Sequence, residues 1–183
     1  LIIDESFLDF ADAENLSLLS EQVLKENKNL YVVKSISKSY GVPGIRLGIL
    51  ASGNTDMIGR LKKDVSIWNI NSMAEFFMQI LDKYKSDYTD SLRKIKEERS
   101  RFLNELCAIK NLKVYPSQAN YFMCEILDGI SSEELAGRLL KENILIKDLT
   151  GKIHNGKQYI RIAIRGEEEN RILVEKLRLC MKQ

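Results

Sequence analysis

The chain is predicted to be α/β: a mostly parallel sheet followed by a small α+β domain. Three observations predict this. Apolar runs at 1–4 and 30–35 flank a stretch with apolar residues at 16, 18, 19, 23 and 24, the pattern of a βαβ crossover. A long charged segment, 87–108, keeps Leu92, Ile95, Phe102, Leu103 and Leu106 on one helical face, its charges forming a solvated face. After it, short apolar runs alternate with two helical stretches. The domains are expected to cover 1–93 and 94–183, with the boundary near Lys94.

Taken in order, Leu1-Ile2-Ile3-Asp4 reads as a buried strand, and the amphipathic stretch 16–27 reads as a helix ended by Glu26-Asn27-Lys28-Asn29. The chain opens inside a strand without an initiating methionine, so it reads as a C-terminal fragment with part of any active site missing. The β-branched strand at 30–35 follows, and 46–52 is a further strand. Asn54-Thr55-Asp56 caps a helix through Met57, Ile58 and Leu61. Ser72 caps another through Met73, Phe76, Phe77, Ile80 and Leu81; Trp68, in the loop before it, is either a core residue, the more frequent use of tryptophan, or a ligand contact. In the second domain, strands are expected at 112–115, 120–126, 144–147 and 159–164. Helices are expected at 131–142 and 167–181.

Composition narrows the function. With 183 residues and 44% hydrophobic content the chain can bury a sizeable core. A net charge of +2, with both signs interspersed, calls for neither nucleic acid nor an anionic membrane surface. No apolar run is long enough to span a bilayer, and a cytoplasmic location is expected. Cys107, Cys124 and Cys180 are odd in number and widely spaced; they read as reduced core cysteines, and no metal is expected.

The chemistry concentrates at 34–48, Lys-Ser-Ile-Ser-Lys-Ser-Tyr-Gly-Val-Pro-Gly-Ile-Arg-Leu-Gly. Hydroxyls fall at 35, 37 and 39 around Lys38, and Gly41, Pro43 and Gly44 force a loop. Lys38 is either a solvated loop lysine or an amine that forms a Schiff base with a carbonyl cofactor. For the second use, Arg46 and Lys34 supply a positive field, and Ser35 and Ser37 can donate to phosphate oxygens. The glycines spell neither a Walker nor a dinucleotide loop. Asp4 ends its strand either as a turn cap or as an acid at the carboxyl edge of a parallel sheet, where ligands bind. Arg161 sits among isoleucines, with Ala163 on its face and Ile160, Ile162 and Ile164 opposite. It is either a snorkelling edge residue or a planar fork for a carboxylate. Arg165 has no evident role, and His154, in a polar turn, reads as solvated.

Ser35-Ile36-Ser37-Lys38 followed by Gly41-Val42-Pro43-Gly44-Ile45-Arg46-Leu47-Gly48 resembles the pyridoxal-phosphate lysine signature of fold-type I aminotransferases of class I/II. The histidinol-phosphate aminotransferase and threonine-phosphate decarboxylase groups are the nearest likeness. Asp4-Glu5-Ser6-Phe7 and Pro116-Ser117-Gln118-Ala119-Asn120-Tyr121 match further segments, so the resemblance spans essentially the whole chain. It implies the C-terminal part of the large domain of such an enzyme plus its small domain. It implies pyridoxal 5'-phosphate held by Lys38 as a Schiff base, by Asp4 at the ring nitrogen, and by Ser35 and Arg46 at the phosphate, beside which Ser37 offers the further hydroxyl noted above. Phe7 stands where relatives often carry a tyrosine that meets the cofactor's phenolic oxygen, and it cannot donate. Arg161 takes the substrate carboxylate; Lys147 stands where relatives with phosphorylated substrates carry an arginine. The implied activity is transamination of an amino acid, possibly phosphorylated, to a keto acid. Decarboxylation of the threonine-phosphate type and a catalytically incomplete fragment are the alternatives. A homodimer is expected of the full-length parent, with amino-acid and keto-acid substrates.

Overall fold

The computed structural model describes residues 1–181, which form two compact units, Leu1–Leu92 and the described residues from Arg93 onward. In the first unit, β1 (Ile2–Asp4), β2 (Tyr31–Ser35) and β3 (Gly48–Ser52) form one sheet in the order β1-β2-β3. β1 runs parallel to β2, with Asp4 opposite Val33. β3 is antiparallel to β2, because the chain doubles back at Gly41 (φ 66°) and Pro43 and returns beside the strand it left, Ser35 opposite Gly48. Lys38 lies on a single helical turn, α2 (Ile36–Ser39), where a loop was expected.

The parallel pair is joined through α1 (Glu21–Glu26), which is shorter than the predicted 16–27. Glu5, buried, accepts hydrogen bonds from Ser17 Oγ and the Leu18 amide, both at 2.7 Å, and holds that segment extended. The helix then starts where Ser20 Oγ caps the Val23 amide at 3.2 Å. Burial of β1 was expected; within this span of chain Leu1 and Ile2 are 78% and 71% exposed, β1 having only β2 as a strand neighbour among the described residues. Trp68 is a further correction, at 91% exposure in a surface loop. α3 (Thr55–Asp64) is capped by Asn54 as expected. The cap of α4 (Ser72–Ile80) is Asn71 rather than Ser72, since Asn71 has extended backbone and its Oδ1 accepts the Ala74 amide at 2.9 Å. α5 (Lys85–Cys107) is the long charged helix.

In the second unit, β4 (Leu112–Val114), β5 (Tyr121–Ile126), β6 (Lys147–Asp148) and β7 (Gln158–Ala163) form an antiparallel sheet in the order β4-β5-β7-β6. One face, with Phe122, Cys124, Ile160 and Ile162, packs into a core shared with Phe102 and Leu106 of α5, with Leu135 and Leu139 of α6 (Ser132–Lys141), and with Leu173 and Leu177 of α7 (Glu167–Cys180). The predicted strand 144–147 shrinks to Lys147–Asp148. Asn143 turns left-handed (φ 60°) and the Ile144 amide bonds back to Leu139 O at 2.9 Å, so the apolar run first closes the end of α6. Of the cysteines only Cys124 is buried, its thiol pushed up to about 12 by burial and the neighbouring Cys107, while Cys107 is exposed at the end of α5.

Gly53 marks where α1 meets the sheet: a Cβ there would lie 1.8 Å from Leu24 O. Gly53→Ala is expected to lower unfolding free energy by roughly 1–3 kcal/mol through backbone displacement. Gly59→Ala, in open space on α3, is expected to raise it by up to about 1 kcal/mol. Urea unfolding of the two variants beside the parent chain checks both signs.

Candidate active site

Parallel pairing brings Asp4 and Ser35 to the carboxyl ends of adjacent strands, the edge at which such sheets bind ligands. A short relay joins them. The Ser35 amide donates to Ser6 Oγ at 2.9 Å, and Ser6 donates onward through both its hydroxyl and its amide (2.8 Å) to Asp4 Oδ1. Ser6 is buried, whereas Asp4 stays exposed. The Ser6 hydroxyl and then the Ser6 amide hold the Asp4 carboxyl below the usual range; burial opposes them, and the charge of Lys38 adds a smaller lowering. Among the described residues, Oδ2 of Asp4 has no hydrogen-bond partner, so one oxygen remains open to a cationic donor.

Lys38 is exposed, and its Nζ lies 4.5 Å from the centroid of the Phe7 ring. The same amine exerts its charge on Asp4, so Asp4, Phe7 and Lys38 come together. Ser35 and Arg46 flank them in the β2–β3 connection. Arg46 adopts a left-handed backbone (φ 53°), is exposed, and gives one N–H to Pro43 O at 3.2 Å; the rest of its guanidinium is available. The Ser35 hydroxyl likewise has no partner among the described residues. Ser37 behaves differently from the expectation. It is buried, and its hydroxyl donates to Leu47 O at 3.3 Å and accepts from Leu47 N at 3.1 Å. With donor and acceptor both engaged, it ties the loop shut instead of presenting a hydroxyl to an anion.

Lys34 is also not part of an open positive field. It pairs with Asp9, whose other oxygen accepts from Tyr88 Oη at 2.7 Å. Burial pushes the Asp9 carboxyl up, but the hydrogen bonds from Lys34 and Tyr88 outweigh it and hold the group below its ordinary value. Tyr88 stacks on Tyr40 with centroids 3.9 Å apart, and Tyr40 meets Phe77 edge-on at 5.9 Å. The buried Ser39 hydroxyl lies beside Asp9 and Tyr88 without completing a hydrogen bond of normal geometry. This network, absent from the sequence reading, fixes the residues on either side of Lys38.

In the second unit, Arg161 and Lys147 stand directly opposite each other on β7 and β6, both exposed. Alternation puts Ile160, Ile162 and Ile164 in the core and Arg161 and Ala163 on the other face, as predicted. The neighbouring acids are already engaged. Glu125 takes Lys157 at 2.8 Å and the Tyr115 hydroxyl, and Asp148 takes the amide (2.9 Å) and hydroxyl (2.7 Å) of Thr150. Among the described residues neither Arg161 nor Lys147 has an acidic partner. Arg165 instead bonds Glu169 at 2.7 Å at the start of α7, and His154 is exposed in its turn.

Comparison with known proteins places this arrangement. The sequence model of the family "Aminotransferase class I and II" matches residues 1–177, and the chain belongs to that family. Its members are pyridoxal-phosphate-dependent enzymes, aminotransferases and decarboxylases alike. The chain is 37% identical over 95% of its length to a CMP-5'-(3-aminopropyl)phosphonate synthase of Streptomyces rubellomurinus, covering 28% of that protein. It is 35% identical over 97% of its length to an L-serine phosphate decarboxylase of Campylobacter jejuni, covering 46% of it. Among solved structures, the histidinol-phosphate aminotransferase of Clostridium acetobutylicum superposes with a TM-score of 0.87 at 32% identity, over 96% of this chain and 52% of that one. The chain thus spans half or less of the curated relatives it matches. Among the described residues no helix is long and apolar enough to cross a membrane.

Two outcomes follow for the acids. Ser6→Ala removes the hydroxyl that depresses Asp4, so the Asp4 titration followed by NMR is expected to move up toward the ordinary carboxylate value. Asp9 carries a lowered folded-state pKa, so its stabilisation is present above the unfolded value near 3.8 and is lost as pH falls through the folded one. Asp9→Asn is therefore expected to flatten the acid limb of a stability-versus-pH curve while lowering stability at neutral pH.

Proposed function

We propose that this chain forms part of a pyridoxal-phosphate enzyme whose substrate is an amino acid ending in a phosphate or phosphonate. The observation that carries this reading is the directly opposed Lys147–Arg161 pair, two exposed cations without an acid. Like charges placed opposite each other across a sheet repel, and an anion of two or more charges turns the repulsion into attraction. The fork of Arg161 suits a carboxylate held at two points, and Lys147 suits a phosphate as a point charge. The compounds named in the descriptions of the three relatives reported above, a phosphonate, a serine phosphate and a histidinol phosphate, support the reading, since each carries phosphorus.

The first unit fits the cofactor. The free Oδ2 of Asp4 matches a protonated ring nitrogen, and the unpartnered Ser35 hydroxyl and Arg46 guanidinium match a phosphate. Lys38 has an exposed amine for the aldehyde. When bound, pyridoxal phosphate supplies an electron sink for the bond broken at the α-carbon. Asp4, kept ionised, would accept the N–H of the protonated ring through Oδ2 and so favour the cationic ring. In a decarboxylation the carboxylate would leave as carbon dioxide and Lys38 would deliver the proton that replaces it at the α-carbon; in a transamination Lys38 would instead take the α-proton. In either case Arg161 would orient the carboxylate and Lys147 would anchor the far end of the substrate. Decarboxylation is the reaction we assign. Phe7, which has no hydroxyl to offer, and the 35% identity to a serine phosphate decarboxylase support it. Transamination is the second reading, supported by the likeness to the histidinol-phosphate aminotransferase.

The parent enzyme given O-phospho-L-serine is expected to release carbon dioxide with a stoichiometric amine; a keto acid in its place selects transamination, and neither product overturns the substrate class. Lys38→Ala is expected to abolish the visible absorbance of the cofactor-loaded parent, and a retained band removes Lys38 from its role. Lys147→Met is expected to erase most of the preference for O-phospho-L-serine over L-serine, a loss of roughly 10–100-fold in kcat/KM for one charge-assisted contact.

A further inference from the structure

Arg161 has two neighbours on its face of the sheet, and they differ in kind. Lys147 is directly across on β6. On the β5 side the residue directly across is Met123, and Tyr121, which pairs with Ala163, lies diagonally. Diagonal neighbours on an antiparallel sheet remain within reach of aromatic and long side chains. Here they meet: the guanidinium carbon of Arg161 lies 5.0 Å from the centroid of the Tyr121 ring. A long side chain that faces a like charge and has no acid to bind is free to swing away from it. The ring supplies the missing restraint, because its negative face attracts the guanidinium without neutralising it or consuming its N–H donors in the ring plane. Tyr121 itself is half-buried and held in strand β5, so it is a firm support.

We propose that Tyr121 is a positioning residue: its ring face holds the Arg161 guanidinium in one plane beside Lys147, so that the pair meets a substrate already oriented. This rests on the reading of Arg161 and Lys147 as the substrate's anion site. The ring, and not the hydroxyl, does the work, since a carboxylate would cancel the charge and an aliphatic residue would leave the guanidinium unheld. The contact has the strength of an exposed cation–π pair, so its loss shows as a change in substrate binding of roughly two- to fivefold.

The test uses the full-length parent enzyme with O-phospho-L-serine and four variants: Tyr121→Phe, Tyr121→Trp, Tyr121→Leu and Arg161→Gln. Tyr121→Phe and Tyr121→Trp are expected to keep KM within twofold. Tyr121→Leu is expected to raise KM by roughly two- to fivefold with kcat unchanged. Arg161→Gln is expected to raise KM by about tenfold or more. A second measurement does not depend on turnover. In protein labelled with 15N-arginine and without added cofactor, the Arg161 Nε–H is expected to be displaced by the ring current in the parent and the Phe variant, and to return to an ordinary position in the Leu variant. An unshifted Nε–H in the parent, an unchanged KM in Tyr121→Leu, or an equal rise in Tyr121→Phe overturns the role of the ring. An unchanged KM in Arg161→Gln overturns the anion site instead. If Tyr121→Leu fails to fold, the KM values of the Phe and Trp variants, expected within twofold of the parent, and the ring-current shift in the parent still decide the matter.

Discussion

The first unit depends on one buried hydroxyl. Ser6 accepts from the backbone of Ser35 on β2 and donates to the carboxylate of Asp4 at the end of β1. The contact locks together the ends of two strands that are paired only over three residues. Its direction matters as much as its presence. Because Ser6 donates both its protons to a single oxygen of Asp4, the acid stays ionised and its other oxygen faces outward. A carboxylate in that state is a fixed negative point on a sheet edge, next to an amine resting on an aromatic ring.

The molecule distributes its cations in two ways, one neutralised within the fold and the others left to solvent. Lys34 is largely buried and neutralised by Asp9, itself braced by Tyr88. A buried unpaired ammonium is too costly to keep, so that pairing is a condition for β2 to exist where it does. Lys38, Arg46, Lys147 and Arg161 are exposed and make no ion pair among the described residues. Water solvates these four at little cost, and each remains able to exchange that water for an anion.

Much of this was legible in the sequence, for physical reasons that differ from place to place. The spacing of Ser35, Lys38 and Arg46 and the acid at position 4 are local patterns, and the family match confirms the class of enzyme they imply. Alternation along 159–164 correctly put Arg161 on the face away from the core. Leu1, Ile2 and Trp68 are exposed in this span because an apolar residue reveals its preference and not which element, if any, covers it. Residue type does not show which way a hydroxyl turns, and that of Ser37, a phosphate donor by type, turns inward to Leu47. Ser6, Asp9 and Tyr88 were missed since their partners lie 29, 25 and 79 residues away. Ser6 alone left a local trace, two positions after an aspartate, the spacing of an Asx turn.

Asn71 bears on which sequences can carry this loop. Its carbonyl oxygen caps α4 through the Ala74 amide, while its Nδ2 donates 2.8 Å to Ile45 O, next to the left-handed Arg46. Serine, threonine and aspartate all cap helices well, but aspartate has no proton to give and the short hydroxyls carry a single oxygen for both tasks. Asparagine is the side chain that brings an acceptor and a donor on separate atoms, so drift among ordinary capping residues at this position would leave the helix intact and let the arginine turn loose.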